Sequence, residues 1–270
     1  MKKAFLYLLS ILLHILLFIT LILYILNPTT STTQKPIKPL ETTPKCTIEV
    51  PTLPIPLSFP PKEKDLININ FAERLSELDV KVGDPVFIRI FKEESLLEVW
   101  MKVEDAYVLF KQYPICAFSG HLGPKLKEGD RQSPEGFYKV KKYQLNPNSS
   151  YHLSFNLGYP NAYDKSHKRT GSYLMVHGEC ASIGCYAMTN AKIEEIYKLV
   201  EQALKKGQKY VQVHAFPFRM SEENMARHND NKWYDFWTEL QEGYDYFEAE
   251  KLPAHIKVKN KHYTIHEANQ

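Results

Sequence analysis

The sequence has 270 residues, 44% hydrophobic and 13% aromatic, enough to bury one sizeable core with a small appendage. Lys and Arg number 34 against 31 Asp and Glu, a net +3 that leaves no electrostatic footprint for nucleic acid. The 4 cysteines (46, 116, 180 and 185) are too few for a disulfide-built scaffold.

Met1-Lys2-Lys3 precedes Ala4 to Leu26, an apolar run with no acidic or basic side chain except His14. As a helix it spans about 34 Å, enough for a hydrocarbon core of about 30 Å. No small-x-small cleavage site follows, so residues 1–26 are expected to form an uncleaved transmembrane signal anchor, with a cleaved signal as the alternative. Lys2 and Lys3 hold the short end in the cytoplasm and the remainder is exported. Residues 27–64 read as a linker. Nine of the chain's 17 prolines fall between Asn27 and Pro61, with many threonines and no glycine. Such a composition favours an extended tether of roughly 33 to 110 Å over a packed core.

Ile69 to Leu78 has apolar positions at helical spacing. Pro85 to Phe91, Leu96 to Val103 and Tyr107 to Tyr113 read as strands of an antiparallel meander, with Arg89 between apolar neighbours. Cys116 ends a strand and is read as a core residue. Gly129 to Tyr138 is turn chemistry before a new strand, and Tyr151 to Leu157 alternates as another. Gly158 to Gly171 is polar and turn-rich, with His167 an ordinary loop histidine. Thr189 to Leu204 is an amphipathic helix, with Ile193, Ile196, Tyr197, Val200 and Leu204 on one face and Thr189 or Asn190 as its N-cap. Tyr210 to Ala215 is a further strand, Ser221-Glu222-Glu223 starts a helix, Trp233 to Leu240 is helical, and His255 to Ile265 forms a hairpin. The expected architecture is α+β. A strand-rich catalytic domain (65–215), with a sandwich- or barrel-like core and inserted helices, is followed by a helical C-terminal extension (216–270).

The chemistry concentrates in Tyr173 to Thr189, Y-L-M-V-H-G-E-C-A-S-I-G-C-Y-A-M-T. An apolar run delivers His177-Gly178, and Gly184-Cys185 leads toward the helix. A histidine at a strand end and a cysteine at the mouth of a helix are the parts a thiolate nucleophile needs. The imidazole and the helix N-terminus would raise the thiolate fraction, and Gly184 lets amide N–H groups turn toward a developing oxyanion. Three other readings stay open at this point. Cys185 could be a buried structural cysteine, His177, Cys180 and Cys185 could ligate zinc, or Cys180 and Cys185 could form a disulfide. Neither a metal nor a cofactor is expected.

Val176-His177-Gly178 followed by Ser182-Ile183-Gly184-Cys185 resembles the H-G … [ST]-H-G-C signature of the L,D-transpeptidase (YkuD-type) catalytic domain, and most closely its YafK-type branch. Gly129-Asp130 with Ser133-Pro134-Glu135-Gly136, Ser154-Phe155-Asn156 and Phe216-Pro217-Phe218-Arg219-Met220 extend the resemblance over about residues 65 to 240. The resemblance implies chemistry on peptidoglycan stem peptides. Cys185 acts as nucleophile, His177 as proton donor and acceptor, the Gly178 backbone orients the imidazole, and the Gly184 and Cys185 amides form the oxyanion hole. The thioester passes to an amine or to water, and the branch includes an amidase releasing a peptidoglycan-linked lipoprotein. The implied location is the periplasmic side of the inner membrane. Two positions depart from the signature. Ile183 replaces its second histidine, and Tyr186-Ala187 replaces the end of Cys-x-Arg. Arg219 is therefore expected to supply the missing positive charge, with Tyr173, Ser182 and Tyr186 as further substrate-binding candidates. The alternative is a catalytically inactive peptidoglycan-binding or regulatory protein of the same fold.

Overall fold

The computed structural model describes residues 66–268. The expected anchor (1–26) and linker (27–64) lie outside these residues. Among the described residues no helix is long and apolar enough to cross a membrane.

Helix α1 (Phe71–Glu77) starts where the Asn70 side chain accepts the N–H groups of Ala72 and Glu73. Strands β1 (Val86–Phe91), β2 (Leu96–Val103) and β3 (Ala106–Pro114) form the expected antiparallel meander. Then come the two-residue β4 (Ala117–Phe118), β5 (Gly136–Val140), β6 (Leu145–Ser149), β7 (His152–Asn156) and helix α2 (Ala162–Ser166). The site elements β8 (Met175–His177) and β9 (Tyr186–Ala187) follow, before helix α3 (Asn190–Lys205) and strand β10 (Val211–Phe216). Helices α4 (Glu222–Arg227) and α5 (Tyr234–Glu250) and the hairpin β11 (His255–Lys259)–β12 (His262–His266) complete the described chain.

One five-stranded sheet has the order β3-β2-β1-β10-β5, the other β4-β9-β8-β7-β6. β10 runs parallel to β1, Ile88 opposite Val213. A parallel neighbour needs a crossover, and here the crossover contains the whole second sheet. Helix α3 joins the sheets. Its apolar stripe, Ile193, Ile196 and Val200, is fully buried in one core with Ile88 and Ile90 of the first sheet and Phe155 and Val176 of the second.

The segment after residue 216 shares its packing with the catalytic domain instead of extending from it. Trp237, Leu240 and Tyr244 of α5 pack with Phe91 and Phe216, and Phe247 packs on Phe87 and Trp100. Helix α5 thereby covers the outer face of the first sheet. That is why every β1 position is buried, where a half-solvated strand would alternate. Arg89 lies on this buried strand, and its guanidinium meets Glu98 of β2 at 2.8 Å and Glu248 of α5 at 2.6 Å. Burial pushes the Glu98 carboxyl up, but the Arg89 and Arg219 guanidiniums outweigh it and hold it below its ordinary value.

Candidate active site

Strands β8 and β9 run parallel, Val176 opposite Tyr186 and His177 opposite Ala187. One residue back in this register Met175 lies beside Cys185, and the Met175 N–H donates to Cys185 Sγ at 3.4 Å. His177 follows two residues on, about 7 Å along the strand and on the same face as Met175. The imidazole therefore sits at the end of β8 and the thiol just before the adjacent β9.

His177 is buried, and its Nδ1 donates to the Gly178 carbonyl oxygen at 2.6 Å. Because a carbonyl can only accept, this bond fixes the proton on Nδ1 and leaves Nε2 as the basic nitrogen. The Tyr151 ring lies 4.8 Å from the imidazole and covers it. Burial lowers the His177 pKa, with the Gly178 carbonyl and Glu179 acting in the opposite direction. The imidazole is thus neutral at pH 7.

Cys185 is a free thiol, half-buried. Sγ donates to the Tyr173 carbonyl oxygen at 3.6 Å. Burial pushes its pKa up, and the Met175 N–H and the Lys125 ammonium offset this in part. Burial thus acts against the raised thiolate fraction expected from the sequence. Position does as well. Cys185 directly precedes β9, and α3 begins only at Asn190, so no helix N-terminus faces the sulfur.

The backbone around Cys185 is held by three serines. Its carbonyl oxygen accepts from Ser133 Oγ and Ser182 Oγ, both at 2.8 Å. Ser119 connects the two, through its N–H to Ser133 Oγ at 3.1 Å and its hydroxyl to Ser182 Oγ at 3.2 Å. Gly184 has φ +138°, and a Cβ there would stand 3.1 Å from Leu174 Cδ1, so glycine is required. The Gly184 N–H donates to Ser182 Oγ at 3.2 Å. The Cys185 N–H, by contrast, has no acceptor among the described residues. A disulfide between Cys116 and Cys180, with Cα atoms 5.4 Å apart, ties this loop to the β3–β4 junction. Cys116 is thus half of a crosslink where a core residue was expected. Pairing with Cys116 also removes Cys180 both as partner of Cys185 and as a zinc ligand.

The substrate-binding candidates separate. Tyr173 and Ile183 are 73% and 78% exposed and flank Cys185 with apolar surface. Ser182 holds the nucleophile's backbone. Tyr186 is fully buried, its hydroxyl donating to the Pro134 carbonyl at 2.7 Å, so it offers nothing to a ligand. Arg219 stacks 4.7 Å from the Phe91 ring, and its Nη2 meets Glu98 at 2.7 Å. These contacts assign it to the buried ion-pair group of the first sheet, a correction to the expected carboxylate role. The cation whose field reaches Cys185 is Lys125, paired with Asp130 at 2.5 Å and buried. Lys125 stands in the sequence beside Gly123-Pro124, but nothing in its spacing marks it as a neighbour of residue 185.

The chain belongs to the family of L,D-transpeptidase catalytic domains (YkuD), whose model matches residues 85–207. It is 50% identical over 184 residues, 68% of this chain and 75% of the relative, to the protein of Escherichia coli strain K12 named "Putative L,D-transpeptidase YafK". An identical match is made to the protein of the same name in Escherichia coli O157:H7. Among solved structures, the helical cell shape determining protein Pgp2 (K307A mutant) of Campylobacter jejuni is 22% identical at a TM-score of 0.42, covering 63% of this chain and 62% of that one.

Proposed function

We propose that this protein is a cysteine enzyme acting on peptidoglycan stem peptides, with Cys185 as nucleophile and His177 as general base and then general acid. As the sulfur attacks a peptide carbonyl carbon at a diaminopimelate residue, its proton passes to His177 Nε2. The negative charge on the carbonyl oxygen is met by the unpaired Cys185 N–H. Collapse of the tetrahedral species breaks the C–N bond, and the leaving amine takes the proton from Nε2. What remains is a thioester on Cys185. An amine or a water molecule then attacks it, giving up a proton to the same nitrogen, and the thiol is restored. The first outcome is transfer and the second hydrolysis, which includes release of a protein or lipoprotein linked to the wall.

The observation that carries this reading is a tautomer-fixed imidazole on β8 and a free thiol just before the adjacent β9, its N–H without an acceptor among the described residues, in a chain of this family. Tyr173 and Ile183 would give the stem peptide an apolar rim, with Ser182 holding the backbone behind it. We place the domain on the periplasmic side of the inner membrane, held by residues 1–26 as an anchor.

The test is digestion of purified sacculi by the exported portion of the chain, with products identified by mass spectrometry. Stem-peptide cleavage or exchange that disappears in Cys185→Ala supports the proposal. Binding of sacculi with no product from the wild type would favour the inactive binding protein.

A further inference from the structure

A concave region lies away from Cys185. It is a cavity of about 540 Å³ between the β5–β7 side of the domain and the β11–β12 hairpin. Its walls carry Lys139, Lys141, Lys165 and Lys257 and no Asp or Glu, in a chain whose charges are nearly balanced overall. None of the four ammonium groups is paired with a carboxylate among the described residues. Lys139 instead lies 4.6 Å from the Tyr210 ring. Two of the wall amides are committed elsewhere. Gln144 Nε2 donates to the Asn156 carbonyl at 2.8 Å, and Asn161 Nδ2 donates to the Phe137 carbonyl and the Tyr263 hydroxyl, both at 2.9 Å. The charged donors of the walls are the lysines. At the mouth, Tyr143 presents a ring 80% exposed.

The cavity is preformed. Tyr263 of the hairpin stacks on Tyr163 at 4.2 Å and meets Phe137 edge-on at 4.8 Å, and its N–H donates to Glu239 at 2.9 Å. Partial burial and the charges of Lys139 and Lys257 hold His255 below its ordinary pKa. One wall, Ile256 to Val258 with Tyr263, lies beyond residues 85–207 that match the family's model.

We infer that this cavity is a second binding site, for a ligand bearing phosphate or carboxylate groups, held by Lys139, Lys141, Lys165 and Lys257 with Tyr143 as a stacking surface. Ammonium groups converging on one concavity bind oxyanions by charge-assisted hydrogen bonds without demanding one fixed geometry. The inference does not depend on the chemistry at Cys185.

The experiment is calorimetric titration of the full chain with two probes, tripolyphosphate and the tricarboxylate citrate, at low and moderate salt. Both are compared with Lys141→Ala/Lys257→Ala and with the control Lys127→Ala/Lys205→Ala, whose lysines are not part of the cavity wall. The expected result is saturable binding of at least one probe, weakened about tenfold or more in the cavity variant and unchanged in the control. Which probe binds tighter distinguishes a phosphate ligand from a carboxylate one. Circular dichroism and the rate of Cys185 alkylation, both unchanged in the cavity variant, exclude misfolding as the cause. Equal loss in both variants, no loss in the cavity variant, or no saturable binding of either probe would overturn the inference.

Discussion

The two sheets divide the work of the molecule. In the first, strands of five to nine residues are covered by α3 on one face and α5 on the other, and the buried Arg89 and Glu98 are locked together, with the partly exposed Arg219 on the same carboxylate. In the second, the strands that carry the site are three and two residues long, and their geometry is set by a disulfide, a serine group and a glycine at φ +138°. Stability resides in the first and reactivity in the second. A nucleophile cannot be both deeply packed and reachable, so it is placed where few ladder hydrogen bonds hold the chain and side chains replace them.

Substitutions should separate the two sheets, beginning with the largest effect. Cys185→Ala should lower turnover on peptidoglycan by roughly a thousandfold or more while leaving the melting temperature nearly unchanged. A matching loss of stability would mean that the thiol is structural. Glu98→Ala should do the reverse. It leaves Arg89 and Arg219 without their shared carboxylate in a buried sheet, a cost of about 3–5 kcal/mol in denaturant unfolding, whereas Cys185 alkylation in the folded fraction should keep its rate.

The disulfide belongs to both regions. It closes a loop across a sequence separation of 64 residues, and its removal in Cys116→Ser/Cys180→Ser should cost about 4 kcal/mol by the chain-entropy argument. Because it also ties the 178–185 loop, kcat should fall with it, and unchanged kcat would show that the serines alone hold Cys185.

The pH dependence is smaller. His177 and His214 are both buried, and burial lowers both pKa values, that of His214 well below 6.5 with the charges of Arg89 and Lys139 contributing. Between the lowered folded value and the ordinary value near 6.5 the unfolded chain binds more protons. Stability therefore falls as pH drops below about 6.5 and is flat above it, with a slope of up to about 1.4 kcal/mol per pH unit for each histidine. His214 sits 4.7 Å from both Phe87 and Phe137, so His214→Phe should remove one histidine's share of that slope. A slope unchanged by this substitution would place the effect elsewhere.

The same division decides what could be read in the sequence. β1, β2, β3 and α3 were legible because long buried elements print their period in apolar residues. The tight turn at Gly184 was legible because a positive φ needs a particular residue type, and His177 and Cys185 stood out as candidates by the chemistry of their side chains. β4 and β9 are too short to carry a period, and the parallel pairing of β10 with β1 is a long-range contact that no local pattern encodes. The Cys116–Cys180 pairing was equally hidden, since spacing along the chain does not report proximity across a sheet. Arg219 was misplaced because a charge in an aromatic run reads the same whether it meets a ligand or a buried Glu98. Lys125 and the serines at 119 and 133 were missed because ordinary polar residues acquire a role only through the fold.

The rate of Cys185 alkylation by iodoacetamide as a function of pH, followed by intact-protein mass spectrometry, tests most directly whether the sulfur rests as a thiol beside a neutral imidazole. The rate should keep rising with pH through the neutral range and beyond the ordinary range of a free thiol, with one adduct at residue 185. A pH-independent plateau between about pH 5 and 8, as a standing thiolate–imidazolium pair would give, would contradict the account.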